Sequence, residues 1–64
     1  MIRVNGIGHE LEPLSVKELL ETLRIQPRGI AVALNGEIVR RSDWTSTVVQ
    51  SGSSIEIVTA AAGG

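Results

Sequence analysis

Apolar side chains recur along this chain with two different periods, and the change of period locates its elements. Ile2-Arg3-Val4-Asn5 alternates apolar and polar, the two-residue repeat of a strand with one buried face. Asn5-Gly6 then signals a turn, and Gly8 adds a second position tolerant of positive φ. His9-Glu10-Leu11-Glu12 is expected to return as a short polar strand that Pro13 stops. From Val16 the spacing lengthens: Val16, Leu19, Leu20 and Leu23 fall at i, i+3, i+4 and i+7, one apolar stripe of an α-helix. Lys17, Glu18, Glu21, Thr22 and Arg24 take its other face. Ser15 and Glu18 stand at the spacing of a capping box, so the helix starts there. It should end near Leu23 to Arg24, with Gln26-Pro27-Arg28-Gly29 as a loop.

Ile30-Ala31-Val32-Ala33-Leu34 is apolar throughout, its large residues on one side and its alanines on the other. Period alone fits either a strand or a second helix; Asn35-Gly36 decides for a strand, because both positions accept the positive φ of a type I′ hairpin. Glu37-Ile38-Val39-Arg40 is then the returning strand, and Arg41-Ser42-Asp43-Trp44 a turn. Thr45 to Val49 is a loop or short edge strand, and Ser51-Gly52-Ser53-Ser54 a further turn. Ile55-Glu56-Ile57-Val58-Thr59 is the last strand; the adjacent Ile57 and Val58 suggest burial on both faces in the middle of a sheet.

A single helix with a single apolar stripe needs a sheet to cover. One mixed sheet of four to five strands over one main helix is the compact solution. If the first and last strands lie side by side at its centre, the connections stay uncrossed. That arrangement is the α+β, ubiquitin-like β-grasp fold. It divides the chain into a domain over residues 1–59 and a flexible tail over 60–64.

The tail, Ala60-Ala61-Ala62-Gly63-Gly64, carries no side chain larger than a methyl group. Its chemistry can only be that of the α-carboxylate on Gly64, presented on an arm that glycine leaves narrow and pliable. Fully extended, the arm reaches about 17 Å. The plain alternative is a linker or frayed end without a role.

Composition narrows the rest. Sixty-four residues allow one small domain. The absence of cysteine removes disulfides, thiolate metal sites and a thiol nucleophile together. Six basic and seven acidic side chains are interspersed, which argues against a nucleic-acid footprint. No apolar run approaches the roughly 20 residues of a membrane span, and the expected location is the cytoplasm. His9 has no patterned nucleophile or orienting partner and reads as a solvated surface residue. Glu10 and Glu12 share a strand face as solvating carboxylates. Arg40 and Arg41 form a small basic spot. Trp44, the one aromatic residue, either caps the core or joins that spot in a partner surface.

Val32 to Val39 with its Asn-Gly-Glu-Ile-Val run, Arg41-Ser42-Asp43-Trp44, Ile55 to Ala60 and the terminal Gly63-Gly64 resemble the ThiS-type sulfur carriers of thiamine biosynthesis. The resemblance spans essentially the whole chain, with Val4-Asn5-Gly6 and the Val16 to Leu23 helix included. It departs at Arg40, where the family usually has proline, and at Ser51-Gly52-Ser53, which replaces Asp-Gly-Asp.

The resemblance implies a protein cosubstrate rather than an enzyme. An E1-like adenylyltransferase would use ATP to activate Gly64 as an acyl-adenylate. Sulfur from cysteine, delivered through a cysteine desulfurase, would displace AMP and leave a thiocarboxylate. Thiazole synthase would accept the tail, Ala60, Ala61, Ala62, Gly63 and Gly64, and take the sulfur. No cofactor or metal is expected on this chain, since ATP belongs to the partner. The related small subunit of molybdopterin synthase shares the fold and the ending, and a β-grasp interaction module with an inert tail is the alternative of another class.

Overall fold

The computed structural model describes residues 1–59. Two local signals behave as the sequence dictates. At the helix α1, Val16–Thr22, the Ser15 hydroxyl accepts from the Glu18 backbone N–H and the Glu18 carboxylate accepts from the Ser15 N–H, each at 3.0 Å. Two of the donors that a helix start leaves bare are thus satisfied reciprocally. At the other end Arg24 adopts φ 57°, and the N–H groups of Arg24 and Ile25 donate to Glu21 and Leu20 at 3.1 and 2.8 Å. This is the paired bonding of a Schellman ending, with arginine in the position glycine usually fills.

Strands β1, Ile2–Val4, and β2, Ile7–His9, form the first hairpin, and β3 is Leu14–Ser15. After the helix come β4, Ile30–Leu34, and β5, Glu37–Val39, then a single 3₁₀ turn over Arg41–Asp43. Strands β6, Val48–Val49, and β7, Ser54–Thr59, complete the described chain. The main sheet has the order β2-β1-β7-β4-β5, while β3 and β6 form a separate two-stranded ladder. The last strand lies in the centre, parallel to β1 and antiparallel to β4. The ubiquitin-like β-grasp arrangement read from the connections is the one observed.

The core lies between the sheet and the helix. Ile2 and Val4, Val32 and Ile55 descend from the sheet to meet Val16, Leu19 and Leu20 of α1, with Trp44 and Val49 closing the side. The apolar stripe is buried at all three helical positions, and Leu23 packs half-buried against the same cluster.

Three expectations need correction. The first hairpin returns at Ile7, not at His9, because Asn5 and Gly6 close it as a two-residue turn with φ 50° and 84°. Gly8 therefore sits in the strand, under the Met1 side chain, and Glu10 and Glu12 follow the strand instead of alternating along it. His9 stands opposite Ile2 on the helix-covered face and is half-buried rather than fully solvated. Finally, β7 is central but buried on one face only: Ile55 and Ile57 turn inward, whereas Glu56 and Val58 are exposed. A chain with one helix covers one side of its sheet and leaves the other to solvent.

Candidate functional site

Among the described residues no three metal-ligating side chains come together. The only ion pair among them is Lys17 with Glu21 at 3.9 Å, both side chains well exposed. What the fold does build with care is the stem of the tail, β7.

That strand is held from both sides, along the β4 side to Thr59 and along the β1 side as far as Ile57. On the β1 side the N–H groups of Arg3 and Asn5 donate to the carbonyls of Ser53 and Ile55 at 3.0 and 2.9 Å. Beyond Asn5 the backbone turns away, and the Asn5 side chain continues the ladder: its Oδ1 accepts from the Ile57 N–H at 2.7 Å and its Nδ2 donates to the Ile57 carbonyl at 3.0 Å. On the β4 side the five pairs from Leu34 opposite Ile55 to Ile30 opposite Thr59 run without a break. Asn35 adds two bonds at the start of the strand, its N–H to the Ser54 carbonyl at 2.8 Å and its Oδ1 from the Ser54 N–H at 2.9 Å. Both hairpin turns thus spend an asparagine on β7, a use that the Asn-Gly signal alone does not disclose.

The uncovered face of the sheet carries an apolar row beside this stem. Register places Ala33 between Ile38 of β5 and Glu56 of β7, and Ala31 opposite Val58. Directly opposed residues share a face. The two alanines are low, so Ile38 and Val58 stand proud, 71% and 59% exposed. No sequence pattern singled these residues out, because a surface isoleucine in a β-branched strand looks like any other; the signal lay in the alanine alternation of β4.

Trp44 is a core residue, only 6% exposed, and its indole N–H donates to the Val39 carbonyl at 3.0 Å. The guanidinium of Arg41 lies 5.0 Å from the indole ring centre and also donates to the Pro27 carbonyl. The Arg41-Ser42-Asp43-Trp44 element is therefore a clasp that fastens the end of β5 to the loop after the helix, with cation–π contact as part of it. Of the three residues proposed as a partner surface, Trp44 is buried, whereas Arg40 and Arg41 are both exposed, Arg41 with its guanidinium also engaged within the chain. The sequence positions Ala60, Ala61, Ala62, Gly63 and Gly64 lie outside the described residues.

A central strand held by both neighbours, in one sheet with a helix over one face and the other face open, defines a ubiquitin-like β-grasp protein. A model of the ThiS family matches residues 2–64, through the two terminal glycines. This chain belongs to the ThiS family. It is 42% identical over 50 residues to the sulfur carrier protein ThiS of Escherichia coli K12, a match covering 78% of this chain and 76% of that one. Its fold is similar to the crystal structure of the thiamine biosynthesis protein ThiS from Geobacter metallireducens, with a TM-score of 0.85 and 34% identity. That match covers 98% of this chain and 97% of the other. A solution structure of a thiamine biosynthesis protein from the same organism matches with a TM-score of 0.74 and 33% identity, covering 98% of this chain and 86% of that one.

Proposed function

We propose that this protein carries sulfur for thiamine biosynthesis as a thiocarboxylate on Gly64. The observation that supports this most is the joining of a central strand paired on both sides to a tail without functional side chains, in a chain whose family match runs to residue 64. A carboxylate is a poor electrophile, so an E1-like adenylyltransferase first converts it with ATP into an acyl-adenylate. Sulfur drawn from cysteine by a desulfurase then displaces AMP, and thiazole synthase accepts the product. Each partner must draw the same five residues into a closed site, and methyl groups and glycines let a narrow channel do so. The protein itself supplies no acid, base or metal to these steps. It acts as cosubstrate in the cytoplasm.

The body of the domain gives the partners their handle. The apolar row of Ile38, Ala33, Ala31 and Val58 borders β7, whose last described residue is Thr59, so a partner that receives the tail lies next to this face. Arg40, at the end of β5, adds a charge at its margin.

Intact-mass analysis after incubation with ATP, an adenylyltransferase of this class, a cysteine desulfurase and cysteine tests the reading. Exchange of one oxygen for sulfur, mapped to Gly64 and lost on deletion of Gly64, is the expected result. No exchange, alongside a control carrier that is modified, would leave a β-grasp interaction module as the better description.

A further inference from the structure

The two Asn-Gly pairs, Asn5-Gly6 and Asn35-Gly36, close the two hairpins of the sheet in the same backbone conformation. The asparagines have φ 50° and 49°, and the glycines φ 84° and 91°. Such a pair carries its own reaction. The glycine nitrogen, unshielded by a side chain, can lose its proton and attack the carboxamide carbon of the preceding asparagine. The new C–N bond closes a succinimide ring while the bond to Nδ2 breaks and ammonia leaves. Water then opens the ring at either carbonyl, giving aspartate or isoaspartate. No electron is transferred, and water is the only co-reactant.

At both glycines the space where a side chain would stand is open, so neither nitrogen is crowded from that side. The carboxamides differ. Asn5 has both ends of its amide held by Ile57, at 2.7 and 3.0 Å. Asn35 is held only at Oδ1, by the Ser54 N–H at 2.9 Å, and its Nδ2, the leaving nitrogen, has no hydrogen-bond partner among the described residues. Swinging the carboxamide toward the glycine nitrogen breaks two hydrogen bonds at Asn5 and one at Asn35.

We propose that Asn35-Gly36 is a site of spontaneous chemical modification in the folded protein, converting slowly to aspartate and isoaspartate, while the Ile57 clamp protects Asn5-Gly6. The product matters because isoaspartate lengthens the backbone by a methylene within a two-residue turn. The closing pair of Leu34 with Glu37 and the bond from the Asn35 N–H to the Ser54 carbonyl cannot then both keep their register. The modification therefore loosens the β4–β5 hairpin from the start of β7.

The test is to hold the whole protein at mildly alkaline pH, folded in one series and in denaturant in another, and follow both asparagine peptides by mass spectrometry. Labelling with an isoaspartyl methyltransferase separates isoaspartate from aspartate. In denaturant the two sites should convert at comparable rates. In the folded series Asn35 should convert about five-fold faster than Asn5, the factor that one hydrogen bond of ordinary net strength commands. Equal rates, faster conversion at Asn5, or no conversion at Asn35 in the folded protein while the denatured chain reacts would each overturn the proposal. Asn35→Gln, which disfavours the ring closure, should abolish the folded-state signal; a signal that persists would also overturn it.

Discussion

The side-chain amide of Asn5 pairs with the backbone of Ile57 through both a donor and an acceptor, filling the place of a strand residue that β1 no longer supplies. The parallel ladder thereby continues one rung past the hairpin turn, toward the end of β7 that leads to the tail. Asn5→Asp keeps an acceptor for the Ile57 N–H but loses the donor and sets a carboxylate against the Ile57 carbonyl. The bond is solvent-exposed, so its loss costs about 0.5–1.5 kcal/mol. Chemical denaturation at neutral pH should show a lower midpoint for the variant, and an unchanged midpoint would mean that the rung carries no stability.

Arg24 ends the helix in the left-handed region, where a side chain costs roughly 1–2 kcal/mol. Arg24→Gly removes that strain and is opposed by the greater freedom that glycine gives the unfolded chain, about 0.4–1 kcal/mol. The net expectation is a gain on the order of 0.5 kcal/mol. A fall in the denaturation midpoint would show that the arginine makes a compensating interaction.

Trp44 has one polar atom and spends it on the Val39 carbonyl. Trp44→Phe retains most of the buried ring and loses that bond, at about 1–2 kcal/mol; Trp44→Ala should cost about 3–5 kcal/mol by opening a cavity. Neither change should affect sulfur loading under conditions where the variant is folded. Loading that falls in the folded Phe variant would return Trp44 to the partner surface.

Ile38 is too exposed to contribute much to the fold, and Ile38→Asp should change stability by no more than about 0.5 kcal/mol. If the open sheet face is the handle, the same substitution slows loading by about ten-fold or more, as loss of an interface anchor does. Initial rates at limiting carrier concentration decide this, and an unaltered rate would move the docking surface elsewhere.

Much of the fold was legible because its signals are local. The capping box, the i, i+3, i+4, i+7 stripe and the type I′ turn at Asn35-Gly36 each act within a few residues, and tertiary packing reinforced them. The central position of β7 followed from connectivity. Its one-sided burial did not, because adjacent Ile57 and Val58 look alike in sequence and only the absence of a layer over Val58 separates them. The start of β2 is hard to read for a related reason: Gly8 and Pro13 are turn formers that compete in sequence with a turn already complete at Gly6. Trp44 could be assigned only once the backbone of Val39 was known to run past it, and the Ile57 rung only once Asn5 was seen to lie beside β7.

Strand order also bears on synthesis. Because β7 separates β1 from β4, the two hairpins share no main-sheet strand pairing until residues 54–59 have been made. Parallel and long-range pairings of this kind form late, after their loop-closure entropy has been met. A chain released from the ribosome short of that strand has two disconnected ribbons and an uncovered helix stripe, and is open to proteolysis. Completion of the sheet thus works as a length check: only a chain translated through residues 54–59 can join its two hairpins into one sheet.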